Sequence, residues 1–131
     1  MKLDSNTHSV FSLNYHLVFC VKYRKKVIND PISLRLKEIF ERIGQNYKIT
    51  LVEWEHNQDH IHALIKAEPK TEMSKFINTY KSASSRLIKK EFLSIKEYLW
   101  KEYFWSRGFL LLTVGGVPIK TIKEYIQNQQ K

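Results

Sequence analysis

Ile49-Thr50-Leu51-Val52-Glu53-Trp54-Glu55, the polar turn His56-Asn57-Gln58-Asp59, and then His60-Ile61-His62-Ala63-Leu64-Ile65-Lys66 decide the fold of this chain. Ile49 and Leu51 alternate with polar neighbours, as a half-buried strand requires, and Trp54 continues the pattern less cleanly. The two runs flank a short polar turn, so the spacing predicts an antiparallel hairpin. Residues two apart in a strand point to the same face. His60 and His62 therefore stand side by side, and two neutral imidazoles so placed offer half of a divalent-metal site. Taken alone, such a pair is more often two partly exposed structural side chains. The rest of the chain must supply a third ligand and a reacting group.

Before the hairpin, Phe11 to Tyr23 is rich in aromatic and β-branched residues, and Tyr15, Leu17, Phe19 and Val21 alternate as a first strand. It runs into the basic cluster Lys22, Arg24, Lys25 and Lys26. Asp30-Pro31 suits a helix start, with an acid at the N-cap and proline in the first turn. Ile32, Leu36, Ile39, Phe40 and Ile43 then recur at helical spacing to a stop near Gly44 to Asn46. After Glu68-Pro69-Lys70, the apolar stripe Met73, Phe76, Ile77, Tyr80, Ala83, Ser84, Leu87 and Ile88 predicts the longest helix, reaching Phe92. Its other side carries Lys75, Lys81, Ser82, Ser85, Arg86 and Lys89.

A less regular stretch from Ser94 to Arg107 holds Trp100 and Trp105, which read as core or dimer anchors. Phe109 to Val114 reads as a buried strand closed by Gly115-Gly116, and Pro118 prepares a last helix from about Ile119 to Gln130. The order β-α-β-β-α-β-α predicts an α+β chain. Its first six elements match the split βαβ of a ferredoxin-like, RRM-like domain: an antiparallel sheet with helices on one face, here followed by a C-terminal helix. No internal repeat or linker divides residues 1–131, so a single domain is expected.

Composition narrows the partners. Of 131 residues, 22 are Lys or Arg and 13 are Asp or Glu, a formal charge of +9 that favours polyanions such as nucleic acid. The longest apolar stretch, around Phe109 to Leu112, is too short to span a bilayer, and the N-terminus lacks a signal-peptide core. A cytoplasmic protein without membrane partners is expected. Cys20 is the single cysteine, so neither an internal disulfide nor a thiolate cluster can form within one chain.

The last helix supplies the missing chemistry. Tyr125 and Gln129 are four apart and present together on a helix surface. A phenol can attack phosphorus and hold it covalently, while a carboxamide oxygen can complete the coordination of a hard cation such as Mg²⁺ or Mn²⁺. Tyrosine, with a pKa of about 10, is a weak nucleophile at neutral pH, so the phosphate must be polarised by a metal. The bland alternative is that Ile122, Tyr125, Ile126 and Gln129 form a helix face packed on the sheet.

Several motifs occur in order: Asn14-Tyr15-His16 with Lys22-Tyr23-Arg24, Asp59-His60-Ile61-His62, Ser84-Ser85-Arg86, Trp105-Ser106-Arg107-Gly108, Thr113-Val114-Gly115-Gly116, and Tyr125 with Gln129. Together they resemble the single-tyrosine HUH transposases, the TnpA-type enzymes of small insertion sequences that move as single-stranded DNA. The resemblance implies one HUH nuclease domain in which His60, His62 and Gln129 bind one Mg²⁺ or Mn²⁺ per active site. It implies that Tyr125 cleaves a phosphodiester through a 5′-phosphotyrosine. It further implies a homodimer that shares active sites between subunits, with Gly115-Gly116 as the hinge of the tyrosine helix. Its DNA partner would be single-stranded, with hairpins near the transposon ends.

Lys22, Arg24, Lys25, Lys81, Ser85, Arg86 and Lys89 are the candidates for nucleic-acid contact, on the argument that phosphate binding needs clustered cations. The chain departs from the family where Leu112 replaces a small polar residue before Thr113-Val114-Gly115. It also ends two residues after Gln129, where relatives often carry a longer tail. His16 either helps to shape the site or is structural. Two other readings compete. One is a non-catalytic RRM-like RNA-binding module, since Arg107-Gly108-Phe109 loosely matches a motif on its third strand, although Leu110-Leu111-Leu112 supplies no second exposed aromatic. The other is an HUH enzyme repurposed for replication initiation or repeat processing, though no extra domain or second catalytic tyrosine is evident.

Overall fold

The structure, a computed structural model, describes residues 4–5, 10–11, 13–99, 103–114 and 119–128. Trp100, Gly115, Gly116, Pro118 and Gln129 lie outside these. From the N-terminus, β1 (Asp4–Ser5) and β2 (Val10–Phe11) form a short antiparallel ribbon. Next come β3 (Leu13–Cys20), α1 (Asp30–Gln45), β4 (Thr50–His56), β5 (His60–Ala67), α2 (Met73–Glu91), β6 (Leu110–Thr113) and α3 (Ile119–Asn128). The main sheet has the order β4-β5-β3-β6 with every pairing antiparallel. This is the α+β, ferredoxin-like arrangement that the order of motifs predicts, with the small ribbon added ahead of it.

β3 is two or three residues shorter than expected at its C-terminal end, because the chain turns sharply at Lys22–Arg24 with Tyr23 at φ 57° and Arg24 at φ 51°. Those left-handed values are uncommon outside glycine and cannot continue a strand. The start of α1 also shifts by one residue: the Asn29 side chain, not that of Asp30, accepts the Ile32 N–H at 3.0 Å, leaving Asp30 and Pro31 in the first turn. The untidy alternation of β4 has a cause. Leu51 pairs with Ile65 but Glu53 pairs with Leu64, a bulge at Val52 that returns Trp54 to the face of Leu51.

The two faces of the sheet are covered differently. On one, Leu17 and Phe19 of β3 with Ile61, Ala63 and Ile65 of β5 pack under α1 and α2, meeting Leu36, Ile39, Phe40, Phe76, Ile77 and Tyr80, all fully or almost fully buried. Each such side chain contributes roughly 1.5–3 kcal/mol on burial. Trp105 belongs to this core, its indole N–H donating to Ser84 Oγ at 2.9 Å, so of its two predicted roles the core anchor holds. On the opposite face the cluster is small: Val18 and Cys20, with Leu110, Leu112, Tyr125 and Ile126 packed partly against them. β6, read from its sequence as buried, is only half-buried because it forms a sheet edge and Thr113 and Val114 face solvent. Among the described residues no helix is long and apolar enough to cross a membrane.

Candidate active site

The register places the histidine pair. His62 lies opposite Val18 and His60 opposite Cys20, so both imidazoles point to the thinly covered face, with His16 two positions before Val18 on the same side. His60 Nδ1–H donates to Asp59 Oδ1 at 2.8 Å. A carboxylate can only accept, which puts the proton on Nδ1 and leaves the Nε2 lone pair available. Asp59 is itself buried and held by Arg24, whose Nε donates to Oδ2 at 3.0 Å while a terminal nitrogen lies 2.8 Å away. Arg24, Asp59 and His60 thus form a chain of oriented groups.

His62 Nε2 shares a hydrogen bond with His16 Nδ1 at 2.9 Å. Burial first, and then the neighbouring His16, hold the His62 pKa below the usual histidine value, so this ring stays neutral to lower pH. Neutral imidazoles fit a divalent cation, and a carboxylate behind one of them is the usual outer partner of a ligating histidine. His60 therefore fits a ligand position as it stands, and His62 fits one once its Nε2 leaves His16. Among the described residues no group of three or more His, Cys, Asp or Glu could hold an ion. Gln129, the predicted third ligand, lies outside the described residues.

Tyr125 sits on the same face as the histidines, within the same chain, packed with Val18 and Cys20, whose strand partners are His62 and His60. Its hydroxyl is buried and has no hydrogen-bond partner among the described residues, and a Cβ placed on Gly108 would lie 3.4 Å from it. Burial pushes the Tyr125 pKa up to about 12, with a smaller contribution from Cys20. Burial likewise lifts the Cys20 thiol to about 11, so it is an inert packing group. The helix that brings Tyr125 here also brings Ile126 onto the sheet, which means that the bland reading of an apolar docking face and the functional one describe the same surface.

The cations fall into two groups. Lys22, Arg24 and Lys25 lie on the turn after β3, with Arg24 committed to Asp59 and Lys25 exposed. Lys81, Ser85, Arg86 and Lys89 line one side of an open groove of about 430 Å³ between α2 and Tyr103 to Arg107. Lys81 is occupied: its ammonium donates to the carbonyls of Ser106 at 2.6 Å, Arg107 at 2.8 Å and Gly108 at 3.2 Å, and burial lowers its pKa. It ties α2 to the segment that covers Tyr125.

The family model for IS200-like transposases matches residues 9–129. The chain belongs to the IS200-like transposase family. It is 32% identical over 120 residues to the ISDra2 transposase TnpA of Deinococcus radiodurans, an alignment covering 92% of this chain and 86% of the relative. It is 30% identical over 125 residues to the transposase of insertion sequence IS200 from Salmonella typhimurium, covering 95% and 82%. A crystal structure of a proposed transposase from Deinococcus radiodurans superimposes with a TM-score of 0.87 at 31% identity, covering 96% of this chain and 97% of that one. A REP-associated tyrosine transposase, solved bound to a REP hairpin, shares the fold with a TM-score of 0.59 at 10% identity, covering 96% and 68%.

For this IS200-like transposase, a DNA-processing enzyme, the structure adds contacts to residues whose role the sequence left open or gave as phosphate contact alone. Asp59 orients His60, His16 bonds His62, and Arg24 and Lys81 make interior polar contacts as well as carrying charge. Asp59 had a visible signal, since it adjoins the pair in Asp59-His60-Ile61-His62. His16 stood in the Asn14-Tyr15-His16 motif and Lys81 on the basic side of the long helix, but neither position pointed to its partner, which lies 46 or at least 25 positions away.

Proposed function

We propose that this IS200-like transposase is a metal-dependent single-stranded DNA endonuclease and strand transferase in which Tyr125 is the nucleophile and His60, His62 and Gln129 hold one Mg²⁺ or Mn²⁺. The observation that carries the reading is the docking of Tyr125 on the face that displays His60 and His62, over their own strand partners. The Tyr125 oxygen attacks phosphorus, the bond from phosphorus to the 3′ oxygen breaks, and a 5′-phosphotyrosine and a free 3′-OH result. Attack by a 3′-OH on the phosphotyrosine restores a phosphodiester and releases the tyrosine, so rejoining needs no external energy source. The cation, when bound, polarises the scissile phosphate.

The DNA partner is proposed to be a single strand folded into hairpins near the element's ends, held through phosphates by Lys22, Lys25, Ser85, Arg86 and Lys89. Arg24 and Lys81 add positive field while their side chains are bound internally. The working unit is proposed to be a homodimer that shares active sites, with the described position of α3 on its own sheet as one end of a swing. The test uses labelled single-stranded DNA from the ends of the surrounding element with Mg²⁺ or Mn²⁺. A covalent protein-DNA band is expected, lost with EDTA and with Tyr125→Phe. A band that survives Tyr125→Phe sinks the nucleophile. For sharing, mixing Tyr125→Phe with a His60→Ala, His62→Ala variant restores cleavage if sites form between subunits, and restores none if each chain uses its own tyrosine.

A further inference from the structure

We infer that Tyr23 and Tyr103 form a stacking seat for unpaired nucleobases, at the head of the basic groove and apart from the histidine face. The inference rests on the single-stranded DNA reading above and names where on the chain the unpaired bases sit. Both residues are 61% exposed, whereas the other described aromatic side chains, Tyr98 and Phe109 apart, are buried or half-buried. Non-local pairing brings them together. Val21 bridges Trp105, Lys22 N–H donates to the Phe104 carbonyl at 2.9 Å, and Ser106 N–H donates to the Cys20 carbonyl at 2.8 Å, so the segment at Tyr103 runs beside the turn at Tyr23.

Lys22 links the rings, its ammonium 4.3 Å from the Tyr103 centroid and 5.4 Å from that of Tyr23. A half-buried cation shared by two exposed rings can meet a phosphate while a base stacks on a ring.

The backbone holds Tyr23 outward at a cost. Tyr23 and Arg24 both have left-handed φ values, which residues other than glycine adopt only under strain. The turn is kept in place by Arg24 bound to Asp59, by the Val21 N–H donating to the Asp59 carbonyl at 2.8 Å and by the Arg24 N–H donating to Val21 at 2.7 Å. Tyr103 in turn lines the groove with Ser82, Ser85, Arg86, Lys89 and Arg107, and among the described residues no Asp or Glu lines it. A strand whose bases stack on the two tyrosines can lay its phosphates along that groove. A paired duplex, whose base faces are covered, cannot use the seat.

The test is made in the Tyr125→Phe background, so that no strand is cut. Its probes are a thymidine-rich single strand carrying 2-aminopurine and the fully paired duplex of the same sequence. Tyr23→Leu with Tyr103→Leu is expected to weaken single-strand binding by about 5- to 100-fold and to abolish quenching of 2-aminopurine. Duplex affinity and the salt slope of single-strand binding should stay as they were, and Tyr23→Phe with Tyr103→Phe should retain both affinity and quenching. Unchanged single-strand affinity in the double Leu variant overturns the seat, as does a Phe variant as impaired as the Leu one. If the protein with both tyrosines intact binds no single strand, the substrate reading itself falls and takes the seat with it.

Discussion

The two faces of one sheet differ in how firmly they are covered. Beneath α1 and α2, aromatic rings interlock, with Phe40 meeting Phe76 and Tyr80 at centroid distances of 5.0 Å in edge-to-face geometry. On the histidine face α3 rests on Val18 and Cys20 through half-buried contacts and, among the described residues, leaves one buried hydroxyl unsatisfied. The first face fixes the scaffold. The second carries the proposed nucleophile on a helix whose contacts are only half-buried, consistent with functional elements being drawn from the less stable parts of a fold.

The contrast is broken most sharply by Tyr125→Phe. DNA cleavage should fall by on the order of 10⁴-fold or more, while thermal stability stays level or rises, because the change removes a buried unpaired hydroxyl and keeps the ring. A substantial fall in melting temperature alongside the lost activity would place Tyr125 in the scaffold. Next in size, Phe40→Ala should lower unfolding free energy by about 3–5 kcal/mol in urea titrations. Ile126→Ala should lower it by about 1 kcal/mol, given its partial burial. Equal losses would mean that α3 is as integral as α1.

A smaller effect tests how the face holds its histidines. Asp59→Asn keeps the shape but removes the carboxylate that fixes the His60 tautomer, and should weaken Mn²⁺ binding, measured by titration calorimetry, by about 10- to 100-fold. Unchanged affinity would show that Asp59 serves only the Arg24 turn. The smallest effect is in pH. Because the folded His62 has a lowered pKa, the unfolded chain takes up its proton first as pH falls below about 6.5. Stability should therefore decline from there down to the folded pKa, and His62→Gln should flatten that part of the profile without altering the core's response to denaturant.

Much of this was legible in the chain. The period of two in His60-Ile61-His62 already required one shared face, and the apolar stripes of α1 and α2 already required a common core. The bulge at Val52 explains why Trp54 blurred the pattern, since an inserted residue reverses the alternation. The last helix was readable as an amphipathic segment, but two faces of the sheet were open to it. Which one it covers depends on contacts with Leu110 and Leu112 of the preceding strand and with Val18 and Cys20, about a hundred positions earlier in the chain.

What the sequence by itself determined was the set of local choices: strand and helix periods, the basic balance, and the pairing of His60 with His62. These depend on side chains within a few positions, where backbone geometry is periodic. Only the tertiary structure decided that His16 meets His62, that Arg24 holds Asp59 behind His60, that Lys81 closes the loop over Tyr125, and that Tyr23 and Tyr103 share Lys22. Those contacts join positions whose separation follows no backbone period, and they exist because strand register and helix packing brought them within ångströms of one another.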